Sequence, residues 1–530
     1  MSITSFVFIL FIFATLIVYY VAPKKYQWVI LLVSSVAFYL LSSLRGAVFV
    51  LITASSIYAA TLIMQNMSEK RKAYLKKHKE DLSKEEKEKY KNSVKKKRKA
   101  VFLATLLLNI GLLCFFKYFH FAFEQIGSLI AAFGGAKPVD SLNFIVPLGI
   151  SFYTFQSTGY LINVYWENYK PERNYFKVLL FVSFFPQITQ GPISEFDQLS
   201  GELFKEHSFT YKNYSWGFQR MLWGLMKKMV IANTLSPWVQ DVFANYSSYS
   251  GITTLIGAFL YSVQIYADFS GYMDIMCGFC EMLDIRLAEN FERPYFSKSI
   301  AEYWRRWHIT LGAWFKQYIY YPIAVSKWNR NLGKKLTEKC GKSIGKNLPA
   351  TIALVAVWFT TGLWHGASWA YIAWGGVNGL FIIFSMWMEP VYDKTKKILH
   401  IKEDKWLWRA FQTIRTFVLI TFIKVLPEVG TLSQGLGLWK RIFTEHTLPR
   451  SKSALLPFLG NTETKNVLIV CFLILLLFLS SLLQRKKAIR DYFNRIPIFI
   501  RIILLVLLAF VVIMVGVPVS KEGAFLYAGF

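Results

Sequence analysis

Residues 3–20, 101–116, 467–483 and 502–519 are apolar on nearly every face, without the spacing that would leave one side for water. At about 1.5 Å per residue, each such run reaches most or all of the way across roughly 30 Å of hydrocarbon. With 54% of the 530 residues hydrophobic and gathered into such runs, the chain reads as an all-α polytopic membrane protein. The first run has neither a basic leader nor a small-residue cleavage site before Pro23-Lys24-Lys25, so it is read as a retained span.

The formal charge of +29 raises the question of nucleic acid. Basic residues concentrate between the apolar runs, however, which is the bias that orients membrane helices, and no soluble module carries a basic face with stacking aromatics. A nucleic-acid role is therefore excluded, and the bilayer is the expected surrounding. Spans at 3–21, 26–41 and 47–64 precede residues 68–99, where 15 Lys+Arg stand against 6 Asp+Glu. That stretch is expected to form one or two solvated helices in the cytoplasm, attracted at most to anionic lipid. Three spans before a cytoplasmic loop put Met1 outside, and the basic cluster from Arg485 to Arg501 before the last run puts the C-terminus outside as well. Five cysteines without secreted-domain spacing support no disulfide framework, Cys277 and Cys280 read as packing residues, and no metal site is expected.

Between residues 143 and 390 the apolar pattern is interrupted by Pro147, Gly149, Pro186, Gly191-Pro192, Gly271 and Pro322, and it contains Asp268, Asp274, Arg305, Arg306, His308 and His365. Irregular backbone and ionisable groups persist at membrane depth only where protein or a watery cavity supplies their hydrogen bonds. We therefore expect helices at 1–142, a core at 143–390 with re-entrant helices around a tunnel, and further helices with an outer-face aromatic tail at 391–530, about a dozen membrane segments in all. No internal repeat is visible, which argues against an inverted-repeat transporter.

His365, in Gly362-Leu363-Trp364-His365-Gly366, stands almost alone among titratable groups in an apolar stretch. A buried imidazole stays neutral and keeps a lone pair, as a general base for hydroxyl attack on a thioester requires. A structural histidine bonded to a neighbouring helix is the alternative. Gly362 and Gly366 would allow close approach of another helix or a substrate. In Trp304-Arg305-Arg306-Trp307-His308, helical spacing would put Trp304, His308, Leu311 and Phe315 on one face. Arg305 and Arg306 would then meet either donor phosphates or lipid headgroups. Asp268 and Asp274 call for cationic partners, with Arg293, Arg305 and Arg306 as candidates and a structural role expected.

These motifs, with Pro147-Leu148-Gly149, Phe185-Pro186-Gln187 and Asn290 to Tyr295, occur in an order that resembles the membrane-bound O-acyltransferases, closest to the branch that O-acetylates alginate and peptidoglycan. The resemblance implies a catalytic role for His365 and, on the donor side, for His308. Trp304, Arg305, Arg306, Trp364 and Asn378 are expected around the substrate, Asn378 standing where many relatives carry another histidine. It also implies transfer of an acetyl group outward from acetyl-coenzyme A or an acyl carrier protein, with no bound cofactor. An extracytoplasmic acetyltransferase partner would complete O-acetylation of a polysaccharide. Tyr527, in the aromatic tail, is a candidate acyl relay. D-Alanyl transfer from a carrier protein and a transporter or flippase without acyl chemistry remain as alternatives.

Overall fold

The computed structural model describes residues 4–135, 146–449, 451, 455–460, 464–485 and 489–517. The tail with Tyr527 lies outside the described residues. The chain is an all-α polytopic membrane protein: among the described residues, extended pairing is limited to one bridge between Phe291 and Trp307. Among the described residues, seven helices are long and apolar enough to cross a membrane, and Phe6–Val21 and Val467–Leu483 are shorter apolar helices. Much of the middle of the chain is built from shorter or broken helices, in keeping with the interruptions by proline and glycine.

Two compact units divide the chain, the first comprising Met1–Tyr214 with Cys280–Leu287. Here the helices Leu44–Lys77 and Lys84–Ala132 carry the basic stretch as solvated helical arms. The second, 49 residues long, extends about 74 Å, more than twice the hydrocarbon thickness. Ser83 begins it with a capping box to Glu86. Glu167 ties the arms to the body by accepting from Arg98 at 2.6 Å, Arg71 at 3.2 Å and Ser68 at 3.1 Å. Helix Ile150–Tyr165 is buried along almost its whole length. Its polar groups are met internally, as where Gln156 donates to the Phe181 carbonyl at 2.7 Å.

The second unit comprises Ser215–Phe279 with Ala288–Phe530. Its core acids do not use Arg293, Arg305 or Arg306. Asp268 pairs with Lys228 at 2.5 Å, and Asp274 with Lys227 at 2.5 Å and Arg220 at 2.9 Å. Arg220 also reaches both oxygens of Glu289 at 2.7 and 2.6 Å. The reason is local: Lys227 and Lys228 lie in a π-helical stretch, Met226–Ala232. Its wider turn brings two consecutive lysines against one neighbouring helix. Three cations thus meet three carboxylates, and the arginines named from sequence are engaged elsewhere: Arg306 holds Glu302 at 2.6 Å, Arg293 donates to the Ser481 carbonyl at 2.5 Å, and Arg305 is exposed.

Removing one member of a buried pair strands the other charge. Asp268→Asn should lower stability by about 3–5 kcal/mol, while Asp268→Leu combined with Lys228→Met should recover most of the loss, read by thermal unfolding in detergent. At the arms, burial raises the Glu167 carboxyl but Arg98, Ser68 and Arg71 outweigh it, and the group titrates below its ordinary 4.5. A depressed carboxyl contributes stability above the unfolded value and loses it as pH falls through the folded one. Hydrogen-exchange protection across 68–99, taken relative to the intrinsic rate at each pH, should therefore fall below about pH 4.5 in wild type, and should be low and pH-insensitive in that range in Glu167→Gln.

Candidate active site

His365 ends the helix Lys342–His365, and after Gly366 the chain returns as Trp369–Trp387. The two helices touch backbone to backbone. A Cβ on Gly375 would lie 2.5 Å from the Trp358 carbonyl and 2.9 Å from Gly362 Cα, and one on Gly362 would lie 2.6 Å from the Tyr371 carbonyl. No side chain fits there, so glycine is required on both helices. The approach lays Trp374 against the His365 ring at 4.8 Å between centroids and Tyr371 parallel to it at 6.4 Å. Gly366 abuts the Tyr371 ring, whose nearest atom a Cβ would approach to 2.1 Å, so the close packing expected around Gly362 and Gly366 is found.

His365 is 3% exposed and lines a cavity of about 20 Å³, room for about one water. Its walls include Trp304, Trp307, Trp374, Tyr371, Lys424 and Glu428. Of the residues named from sequence, His365 and Trp304 line the cavity, and Trp364 packs edge-on to His365 at 4.9 Å. Asn378 is fully buried behind this wall, accepting from the Trp304 indole N–H at 3.0 Å and donating to the Trp374 carbonyl at 2.9 Å. Its amide thus holds two of the cavity's tryptophans.

The single helix expected over 304–315 is broken. Ile300–Arg306 ends at Trp307, His308 adopts a left-handed backbone at φ 49°, and Ile309–Phe315 begins anew. The break is imposed by the strand-like segment before it. Glu292 N–H donates to the Arg306 carbonyl at 3.0 Å and Ile309 N–H to the Asn290 carbonyl at 3.1 Å. Asn290 Oδ1 then accepts from Thr310 N–H at 3.0 Å and Oγ1 at 2.8 Å, capping the new helix start. Consequently His308 does not share a face with Trp304. Its ring is buried edge-on to Phe269 at 4.9 Å and to Trp364 at 6.1 Å, outside the cavity lining, so that Trp364 touches both histidines. Arg305 and Arg306 are also absent from that lining.

Sequence reasoning passed over Lys424 and Glu428. They fall at the end of helix Trp406–Val425 and just beyond it, in a region read as ordinary spans. The available signal was an i, i+4 pair of opposite charges within an otherwise apolar stretch. Tyr371 donates to Glu428 at 3.5 Å, and Tyr261 hydrogen-bonds the same carboxylate.

The site is thus a buried imidazole at a small, tryptophan-walled cavity in a multi-spanning helical protein. Residues 172–337 match the family model described as MBOAT, the membrane-bound O-acyltransferase family. The matched region includes Asp268, Asp274 and His308 and ends before His365.

The chain is 34% identical over 277 residues to the probable alginate O-acetylase AlgI of Azotobacter vinelandii, covering 52% of each chain. It is 32% identical over 302 residues to the peptidoglycan O-acetyltransferase of Helicobacter pylori, covering 52% of this chain and 53% of that one. The teichoic acid D-alanyltransferase of Streptococcus thermophilus is 25% identical over 299 residues, covering 53% and 68%. The chain thus spans about half the length of the O-acetylases it matches.

Because Asn378 satisfies the Trp304 indole inside the bundle, Asn378→Leu leaves that donor unpaired. It should cost about 1–3 kcal/mol of stability, measured by thermal unfolding in detergent.

Proposed function

We propose that this protein is a membrane-bound O-acyltransferase that takes an acetyl group from a cytoplasmic thioester and delivers it across the membrane for O-acetylation of an extracytoplasmic polysaccharide through a partner transferase. The observation that carries the reading is the buried His365 imidazole in the wall of a narrow, tryptophan-lined cavity of about 20 Å³, room for about one water, where an acceptor hydroxyl would meet little competing solvent. The imidazole takes the hydroxyl proton, and the oxygen attacks the thioester carbonyl to give a tetrahedral oxyanion. The oxyanion collapses, the C–S bond breaks, and the departing thiolate takes the proton back from the imidazolium.

A small acyl group fits this site better than a long one. Trp304, Trp307 and Trp374 leave no length for a fatty chain, and Lys424 and Glu428 make part of the wall polar. Even an acetyl group exceeds one water, so its entry requires these rings to move apart. The donor is acetyl-coenzyme A or an acetylated carrier protein; it is a substrate rather than a resident cofactor. His308, beyond Trp364, serves the donor side. Arg305 is exposed and suited to meeting donor phosphates, while Arg306 is shared with Glu302. Both termini are proposed to lie outside, from where Tyr527 would relay the acyl group.

A second reading, D-alanyl transfer, is favoured by the partly buried Glu428 carboxylate in the cavity wall, which suits an α-ammonium group. Purified protein offered acetyl-coenzyme A or D-alanyl carrier protein distinguishes the two by which thioester yields free thiol.

His365→Ala should reduce polysaccharide O-acetyl esters by about 10²–10⁴-fold in rate, the usual contribution of a general base, with the protein still inserted in the membrane. Mass spectrometry of envelope polymers from the variant strain reads this out, and an unchanged ester content would refute the assignment.

A further inference from the structure

Lys424 is 6% exposed, yet among the described residues no carboxylate lies within ion-pair distance of its ammonium. Its one hydrogen bond among those residues is to Tyr295 Oη at 2.8 Å. Tyr295 donates its own hydrogen to the Ser262 carbonyl, so its oxygen faces Lys424 as an acceptor. The ammonium sits 3.7 Å from the centroid of the Trp307 ring, with Tyr295 at 4.8 Å and Tyr303 at 5.3 Å. Three aromatic faces attract a cation but do not neutralise it. Glu428, the carboxylate sharing its cavity, accepts from tyrosines instead.

Glu428 is near enough to attract Lys424 but makes no direct ion pair with it, and a buried cation without a contacting counterion is complementary to an anion that comes and goes. Both Lys424 and His365 line the same small cavity. The reaction assigned to His365 creates one negative charge there, on the former carbonyl oxygen of the thioester. We propose that Lys424 is a catalytic residue that donates to this oxyanion, its ammonium held in place by Tyr295 and the Trp307 face while two N–H bonds remain for the reacting oxygen. The inference rests on the acyltransferase reading above. Lys424 exchanges no proton in the step; the C–O bond forms, the oxyanion is stabilised, and the C–S bond breaks as the thiolate leaves with the proton carried by His365. Because the charge exists only in the transition state and intermediate, the contact should act on turnover and leave ground-state binding of the donor alone.

The test uses full-length protein in nanodiscs, following free thiol released from acetyl-coenzyme A, with binding of a non-reactive thioether analogue of the donor measured alongside. Lys424→Met keeps the stem that packs on Trp307 and removes the charge. Its kcat should fall about 10²–10³-fold, the range for losing one oxyanion donor, while analogue affinity stays within about threefold. Lys424→Arg should recover part of the loss. A kcat within about threefold of wild type overturns the proposal, as does weakened analogue binding at unchanged kcat, which would make Lys424 a donor-binding residue. Should the Met variant not fold, Lys424→Gln, an uncharged donor, carries the same comparison. His365→Ala run in parallel separates the two levels: full activity in that variant sinks the acyltransferase mechanism itself, whereas its inactivity beside an active Lys424→Met sinks only the role of Lys424.

Discussion

The backbone contact between helices Lys342–His365 and Trp369–Trp387 sets everything around the candidate site. Gly362 and Gly375 meet at a distance that no side chain would permit. Within a bilayer there is no hydrophobic gain in pressing two apolar helices together, because lipid is as apolar as leucine; close packing of small residues supplies the attraction instead. The crossing fixes where the first helix ends, and so where His365 projects. It also brings Tyr371 and Trp374 of the returning helix against the imidazole. Asn378, one turn after Trp374, then reaches the Trp304 indole and binds a third segment to the same wall. One short glycine contact therefore positions the histidine, two tryptophans and a tyrosine.

Legibility from sequence followed the physics of each signal. The long helices were plain, since an apolar run of sufficient length has few alternatives in a chain of this composition. His365 stood out as a lone titratable group between glycines, and the contact those glycines make is present. The helix over 304–315 failed because its pattern is locally consistent with continuation, and only a distant segment, 290–292, supplies the hydrogen bonds that break it. A tertiary partner cannot be read from periodicity. The partners of Asp268 and Asp274 were missed for a related reason: adjacent lysines on one helix face become adequate only through the π-helical stretch, which composition does not announce. Lys424 and Glu428 were visible as residues but not as a pair belonging to the site, since their relation to His365 is purely spatial.

Two treatments of buried charge coexist in the second unit. Buried Asp268 and Asp274 are matched by Lys228, Lys227 and Arg220 at distances of 2.5–2.9 Å, and Arg220 also reaches the exposed Glu289 at 2.6 Å. Such a network repays its desolvation only when every member is paired, and it is complete among these six groups. At Lys424 the arrangement differs. Glu428 stands four residues further on and lines the same cavity, but its carboxylate is hydrogen-bonded by Tyr371 and Tyr261 and makes no direct ion pair with Lys424.

If structural economy governed both places, Lys424 and Glu428 would have been joined as the other six are, or replaced by apolar residues that pack as well and cost less. Keeping them out of direct contact costs stability and leaves two charged side chains in the wall of the cavity that His365 lines. Preorganised charge of this kind is useful to a reaction whose polarity changes along its path, because it need not reorient when the charge appears. The aromatic cage around Lys424 serves the same end: quadrupole attraction holds the ammonium in place without the counterion that would cancel its field.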